Sequence, residues 1–156
     1  MHDSLGDTIK NDYENRTRSY LPRRTYTLIR VDGRSFSNYT SKLAKPFDFT
    51  FHDEMNHVAK IMCKELAGSV LAYVQSDEIS VLLTDFYSEQ TEALFDGNLQ
   101  KICSIAASIA TASFNELQWI KSTVDKKPKL AHFDARVFTI PDVNMVVKYF
   151  QWRQMD

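Results

Sequence analysis

Two acidic corners, each beside an apolar run, hold the residues best suited to chemistry. The first is Asp32, which ends the β-branched, mostly apolar run Tyr26–Val31 and precedes Gly33. The second is the pair Asp77 and Glu78, which lies between two further apolar runs. Carboxylates brought close together repel each other unless a cation lies between them or one takes up a proton. Hard divalent ions such as Mg²⁺ prefer oxygen ligands and keep waters that a triphosphate can displace. If the fold brings Asp32 and Asp77 together, we predict that they hold two such ions against a nucleoside triphosphate.

The residues after Gly33 offer groups for phosphate. The backbone amides of Arg34-Ser-Phe36 could form an anion-binding nest, and the side chains of Arg34 and Lys45 are candidate charge partners. A lone Asp-Gly pair is most often a plain turn, and the second acidic corner is what favours a site here. With four glycines in the chain, a glycine-rich phosphate loop is excluded.

Hydrophobic periodicity predicts the elements that must position these corners. We expect a polar helical segment over residues 3–20 that is anchored by Leu5, Ile9, Tyr13 and Tyr20 and ended by Leu21-Pro22. The remaining predicted elements are a strand at 25–31, a helix at 50–66, two short strands at 70–74 and 79–84, a long helix at 88–119, a strand at 133–140 and a short helix opened by Pro141-Asp142.

The predicted order β-α-β-β-α-β is the ferredoxin-like split arrangement, an α+β fold with an antiparallel four-stranded sheet and two helices packed on one face. In this arrangement the first strand lies beside the third, and the first and second strands are parallel. The end of the first strand and the corner between the second and third strands therefore share one edge of the sheet. That edge is expected to bring Asp32 next to Ser76-Asp-Glu78, about 45 residues further along the chain.

Length and composition narrow the protein class. The 156 residues, 44% hydrophobic and 25% charged, predict one globular domain without a membrane span or signal peptide. Cys63 and Cys103 lie in apolar helical patterns, which favours buried reduced thiols and a cytoplasmic protein. The net charge of −1 leaves nucleic-acid binding to local patches. A basic cluster at Arg16, Arg18, Arg23 and Arg24 fits either a solvated face or a phosphate contact.

Taken together, the motifs resemble those of the tRNA(His) guanylyltransferase family, and more closely its Thg1-like branch of 3′-to-5′ polymerases. The matching stretches are Arg30-Val-Asp-Gly-Arg-Ser-Phe36, Ala44-Lys-Pro-Phe-Asp48, Ala72-Tyr-Val-Gln-Ser-Asp-Glu78, Phe133-Asp-Ala-Arg136 and Tyr149-Phe-Gln-Trp-Arg-Gln154. At the N-terminus, Leu5-Gly-Asp, Tyr13-Glu-Asn and Tyr20-Leu-Pro-Arg-Arg are similar to the Thg1-like branch in particular.

The resemblance implies a polymerase-type palm that adds a nucleotide to the 5′ end of tRNA, with ATP and GTP as substrates. It implies that Asp32, the Gly33 carbonyl and Asp77 ligate two Mg²⁺ ions, and that Glu78 supports these catalytic residues. The implied nucleotide-binding residues are Gly33, Arg34, Ser35, Phe36, Ala44, Lys45, Asp48 and Ser76. It also implies a homo-oligomer, either a dimer or a tetramer.

Two departures from the family pattern affect this expectation. Ser37 stands where the family usually has a histidine. Residues 1–156 are expected to form the palm alone, without the C-terminal helical region of the family. The lack of this region is expected to impair activity.

Two other functions stay open. One is a catalytically inactive palm that binds nucleotide or serves as a partner subunit. The other is a nucleotide cyclase-like enzyme, although such enzymes favour a Gly-Gly-Asp-Glu-Phe type of corner over Gln75-Ser-Asp-Glu78.

Overall fold

The computed structural model describes residues 4–45, 48–123 and 127–155. Pro46 and Phe47 of the second motif, and Asp3 of the predicted N-terminal segment, lie outside these ranges. The strands are β1 (Tyr26–Gly33), β2 (Ser69–Gln75), β3 (Glu78–Leu83) and β4 (Phe133–Ile140). The α-helices are α1 (Ser4–Asp12), α2 (Phe36–Tyr39), α3 (Phe49–Glu65), α4 (Leu99–Lys121) and α5 (Val143–Met155), and short 3-10 turns lie at Glu14–Thr17, Thr40–Lys42 and Leu94–Gly97.

The four strands form one sheet in the order β2-β3-β1-β4, with every neighbouring pair antiparallel. Strand β1 therefore lies in the interior beside β3, and β1 and β2 run parallel, as the sequence predicts. Helices α3 and α4 pack against each other and on the sheet, α3 mainly against β2 and α4 mainly against β4. The predicted α+β palm-like fold is confirmed.

The main core lies between the sheet and this helical layer. Side chains alternate across a strand, so Ile29 and Val31 of β1 face the helices while Leu28 and Arg30 face the other way. The fully buried members of this core include Met55, Val58, Met62, Ile79, Val81, Ile102 and Phe114. This close packing fixes the positions of the ends of β1 and β3.

Helix α5 covers part of the opposite face of the sheet. Its Val146 and Tyr149 pack on Leu28 and Leu82, and Phe138 of β4 joins this smaller cluster. The sequence predicts a helix here but does not place it on the second face. As a result, one half of this face is apolar and covered, and the half nearer the Asp32 end of β1 carries charged side chains.

The predicted long helix at 88–119 is wrong at its start, because α4 begins only at Leu99. Phe95, Asp96 and Gly97 adopt positive φ angles of 49°, 52° and 74°, which break a right-handed helix. Asn98 then caps α4, with its side-chain oxygen accepting a hydrogen bond from the Lys101 amide at 3.0 Å. Apolar residues on both sides of this break, such as Leu94 and Leu99, lead the sequence pattern to extend the helix across it.

The N-terminal segment also differs from the prediction. Helix α1 ends at Asp12, and the apolar side chains expected to anchor this segment, Leu5, Ile9, Tyr13 and Tyr20, are all exposed. The chain is instead tied to the body by backbone hydrogen bonds around Tyr20: the Leu99 amide donates to the Ser19 carbonyl at 3.0 Å, and the Leu21 amide donates to the Gly97 carbonyl at 2.9 Å. The side chain of Arg23 bonds the carboxylate of Asp85 at 3.0 Å.

The other predicted boundaries agree with the structure to within two residues. Cys63 and Cys103 are free, half-buried thiols, and burial raises the pKa of each. In the ranges that the structure describes, no helix is both long and apolar enough to cross a membrane.

Candidate metal and nucleotide site

The two acidic corners meet at one edge of the sheet. Asp32 lies opposite Glu78 in the β1-β3 register. One residue further, the Gly33 amide donates a hydrogen bond to the Asp77 carbonyl at 3.2 Å. The end of β1 is thus joined directly to the Ser76-Asp77 turn between β2 and β3, as the topology predicts.

Asp77 lies in an environment that disfavours its negative charge. Burial raises the pKa of Asp77, and the nearby charge of Asp32 raises it further. The Ser76 hydroxyl, which donates to Asp77 Oδ1 at 3.1 Å, opposes these effects only in part. A cation placed between the two aspartates would relieve both the repulsion and the cost of burial, so the pair is suited to hold one.

Glu78 turns to the face that α5 covers and is bound there by arginine. The Nε of Arg153 donates to Glu78 Oε1 at 2.8 Å, and its Nη2 donates to Oε2 at 3.2 Å. Arg30 Nε lies 3.6 Å from Glu78 Oε2. Both oxygens of Glu78 are therefore engaged by protein cations, and its predicted support of the metal ions stays a prediction.

A buried hydroxyl pair lies behind this ion pair. Ser80 and Tyr149 share a hydrogen bond of 2.7 Å, and both residues are buried. Burial is the main cause that raises the pKa of the Tyr149 hydroxyl, and the charge of Glu78 adds to it. Helix α5 is thus attached to the acidic edge by polar contacts and not only by apolar packing.

The turn after β1 is fixed by close packing. A Cβ at Gly33 would lie 2.3 Å from Cδ2 of the buried Phe36 ring, so only glycine fits without displacing that ring. Phe36 itself packs among core aromatic rings, and the Tyr39 ring stacks on it with the two ring centroids 4.9 Å apart. Ser35 holds a left-handed conformation, with φ of 57°.

Fewer backbone amides are available for the predicted anion-binding nest than the sequence suggests. The Arg34 amide already donates to the His132 carbonyl at 2.8 Å. Ser35 and Phe36 then supply the predicted amides that remain for phosphate. The Phe36 side chain belongs to the core, so only the backbone of this residue is available to the predicted site.

The second motif lies at the start of α3. Asp48 caps this helix, accepting hydrogen bonds from the Phe51 amide at 2.9 Å and the Ala44 amide at 3.2 Å. The Phe51 bond, followed by that of Ala44, lowers the pKa of Asp48. Asp48 therefore shapes the backbone around Ala44, and Lys45 is exposed beside it.

Sequence reasoning missed several charged residues at this edge. Arg136 Nη1 lies 3.6 Å from Asp32 Oδ2, and its Nη2 lies 3.7 Å from Asp134 Oδ1. The sequence contains the motif Phe133-Asp-Ala-Arg136, but the β1-β4 register places Asp134 opposite Asp32 and Arg136 opposite Arg30, so Arg136 reaches Asp32 diagonally. Arg153 likewise reaches Glu78 only because α5 folds across the sheet.

Among the described residues, no group of three or more His, Cys, Asp or Glu side chains is arranged to hold a metal ion. The predicted site uses two carboxylates and one backbone carbonyl, so it does not require such a group. Its donors are all oxygen atoms, which is the set that Mg²⁺ prefers.

A comparison with protein families matches residues 7–141 to the model described as tRNAHis guanylyltransferase. The curated tRNA(His) guanylyltransferase of Schizosaccharomyces pombe is 34% identical over 134 residues, which are 85% of this chain and 49% of that protein. The chain thus spans about half the length of the curated relatives it matches.

Solved structures of tRNA(His) guanylyltransferase-like proteins also resemble this chain. A bacterial tRNA(His) guanylyltransferase (Thg1)-like protein in complex with GTP is 43% identical, with a TM-score of 0.90 over 99% of this chain and 71% of that one. A structure of such a bacterial protein in complex with ATP also has 43% identity and a TM-score of 0.90, and covers 98% of this chain and 65% of that one.

Proposed function

The chain belongs to the tRNA(His) guanylyltransferase family, and we propose that it is a metal-dependent nucleotidyltransferase that adds nucleotides to the 5′ end of tRNA in the 3′-5′ direction. The observation that carries the proposal is the meeting of Asp32 and Asp77 at one edge of the sheet, fixed by the hydrogen bond from Gly33 to Asp77.

The residues at this edge fit a pair of Mg²⁺ ions. Asp32, the Gly33 carbonyl and Asp77 would hold them, and the raised pKa of Asp77 gives a reason why a cation belongs there. When bound, the ions supply positive charge that stabilises the attacking and leaving oxygens of a phosphoryl displacement. The chain itself contributes the fixed placement of the two carboxylates.

The nucleotide triphosphate is proposed to lie between this edge and the start of α3. The amides of Ser35 and Phe36 face the phosphates, and Lys45 neutralises their charge. Ala44 and Asp48 lie near the base, with Asp48 holding the local backbone through its two hydrogen bonds. Similar bacterial proteins were solved in complex with GTP and with ATP, which supports both nucleotides as substrates.

Transfer to RNA provides the test. The chain would be incubated with Mg²⁺, labelled ATP or GTP, and a 5′-monophosphorylated tRNA that lacks its first nucleotide. We expect an adenylylated or extended tRNA. We expect no such product from Asp32→Asn or Asp77→Asn, and wild-type yield from Asp12→Asn, a control at an exposed aspartate of α1.

Other products would contradict the proposal. A cyclic nucleotide formed without RNA would indicate the cyclase-like alternative, and nucleotide binding without any product would indicate an inactive palm. The dimer or tetramer implied by the resemblance, and the cytoplasmic location favoured by the cysteine pattern, stay predictions.

A further inference from the structure

A cationic groove opens beside the acidic edge, on the side of β4. It has a volume of about 330 Å³ and lies between the turn after β1 and the segment that leads into β4. Arg34, Ser35 and Tyr39 line one wall, and Lys129 and His132 line the other. We propose that this groove binds the phosphate-bearing 5′-terminal nucleotide of the RNA substrate, an inference that rests on the proposed function.

The walls of the groove are held in place by specific hydrogen bonds. Asn115 of α4 pins Ala131, accepting from its amide at 2.9 Å and donating to its carbonyl at 2.8 Å. Thr111 accepts a hydrogen bond from the Phe133 amide at 3.1 Å. The bond from the Arg34 amide to the His132 carbonyl then joins the two walls at 2.8 Å. The groove is therefore built before any ligand arrives.

The charge of the groove suits an anion. Arg34 and Lys129 bring a guanidinium and an ammonium group to the groove, and His132 adds ring N–H donors. Among the described residues that line the groove, none is Asp or Glu. The volume matches a single nucleotide better than an extended duplex, and the partly buried Tyr39 ring on the wall offers a surface for a base or ribose.

The position of the groove favours RNA over the free triphosphate as occupant. The metal edge lies on β1, in the interior of the sheet. Ala44, Lys45 and Asp48 precede α3, which packs mainly on β2, whereas the groove precedes β4 and adjoins α4. The amides of Ser35 and Phe36, assigned above to the triphosphate, lie on the wall of the groove nearer the metal edge. A triphosphate held between those amides and Lys45 leaves the far wall, with Lys129 and His132, for the second substrate. In the proposed reaction, that substrate is the RNA 5′ end.

Equilibrium binding distinguishes the groove from the metal edge. Fluorescence anisotropy would follow a single-stranded RNA with a 5′-monophosphate and a 3′ label, and a fluorescent GTP analogue with Mg²⁺ would be titrated in parallel. The test variant is Lys129→Gln with His132→Gln. Lys127→Gln is the matched control, because Lys127 carries the same charge in the same segment but does not line the groove.

We expect the double variant to bind RNA about tenfold more weakly, because charge-assisted bonds to phosphate are lost. The slope of log affinity against log salt should fall by about 0.7 for each phosphate contact removed. GTP binding should stay at the wild-type value, and Lys127→Gln should bind both ligands as the wild type does. The wild-type chain should also bind 5′-hydroxyl RNA more weakly than the phosphorylated form.

Three results would overturn the groove assignment. One is wild-type RNA affinity in the double variant, and another is equal affinity for 5′-hydroxyl and 5′-phosphorylated RNA. The third is a loss confined to GTP, which would assign the groove to the triphosphate. If the wild-type chain binds GTP with Mg²⁺ but no RNA, the groove assignment is wrong while the nucleotide part of the proposed function stands.

Discussion

The ion pair between Arg153 and Glu78 allows a quantitative prediction for Arg153→Met. The two side chains are only 10% and 13% exposed and are joined by two hydrogen bonds of 2.8 and 3.2 Å. Removing one partner of a buried pair costs about 3–5 kcal/mol, because the other charge is left uncompensated. Arg30 remains 3.6 Å from Glu78 and provides some compensation, so we expect the lower end, about 3 kcal/mol.

Chemical and thermal denaturation measure this loss. For a domain of this size, each kcal/mol shifts Tm by about 2–4 °C, so Arg153→Met should lower Tm by roughly 6–12 °C. Replacing both residues, Arg153→Met with Glu78→Gln, should cost less than the sum of the single changes by at least about 1 kcal/mol. Each single variant removes one of the two charges joined in this pair, whereas the double variant removes both and leaves only the cation of Arg30, 3.6 Å from the original carboxylate.

Two outcomes would refute this reasoning. One is a loss below about 1 kcal/mol for Arg153→Met, which is the range of exposed ion pairs. The other is additivity of the two changes, which would mean that the side chains do not interact in solution. Phe150→Leu, a volume-reducing change at a half-buried position of the same helix, controls for a general loosening of α5.

Substitutions at three positions test the acidic edge. Asp77→Asn should raise the free energy of unfolding of the metal-free protein at neutral pH, because folding disfavours the charged form of this carboxyl. The folded pKa of Asp77 lies above its unfolded value of about 3.9, so the free-energy cost of the charged carboxyl is present above the folded pKa. This cost disappears as the pH falls below both pKa values. The denaturation curves of the variant and the wild type should therefore converge in acid. Gly33→Ala should destabilise the fold by about 1–3 kcal/mol through its clash with Phe36, measured by urea unfolding, and a variant as stable as wild type would contradict the packing described. Ser76 has a φ of 52°, a left-handed conformation that glycine adopts readily and a β-branched residue does not. Ser76→Gly should therefore match or exceed the stability of the wild type, whereas Ser76→Val should lose about 1–2 kcal/mol. The reverse order of stability would show that the turn relaxes in solution.

The sheet could be predicted because its signals are local and consistent. The polar corners Asp32-Gly33 and Ser76-Asp77 mark the ends of the apolar runs, so the strands can be located from the sequence. The order of strands and helices along the chain then indicates the split arrangement. The meeting of Asp32 and Asp77 then follows from topology alone. The start of α4 was missed because apolar periodicity runs across the break, although Asp96-Gly97 is a turn signal and Asn98 a favoured N-cap; only the left-handed Phe95 has no signal in its residue type.

The charged surroundings of the site depend on contacts distant in sequence. Arg153 reaches Glu78 across 75 residues, and this needs α5 to lie on the second face of the sheet. The cationic groove needs Asn115 to fix the segment at Ala131, a pairing that no periodic pattern reveals. The exposed Leu5 and Ile9 show the converse, because an apolar pattern in a short helix predicts burial that this chain does not provide.

Binding of Mn²⁺ with GTP, followed by electron paramagnetic resonance, tests the central claim most directly, because Mn²⁺ takes the oxygen ligands that suit Mg²⁺. The account predicts that the wild-type chain binds the metal-nucleotide complex, that Asp32→Asn and Asp77→Asn each lose this binding, and that the double variant loses no more than either single one. Such non-additivity is expected when two residues hold the same ions. Undiminished Mn²⁺ binding in either single variant, with the fold intact by circular dichroism, would contradict the claim that Asp32 and Asp77 form one metal site.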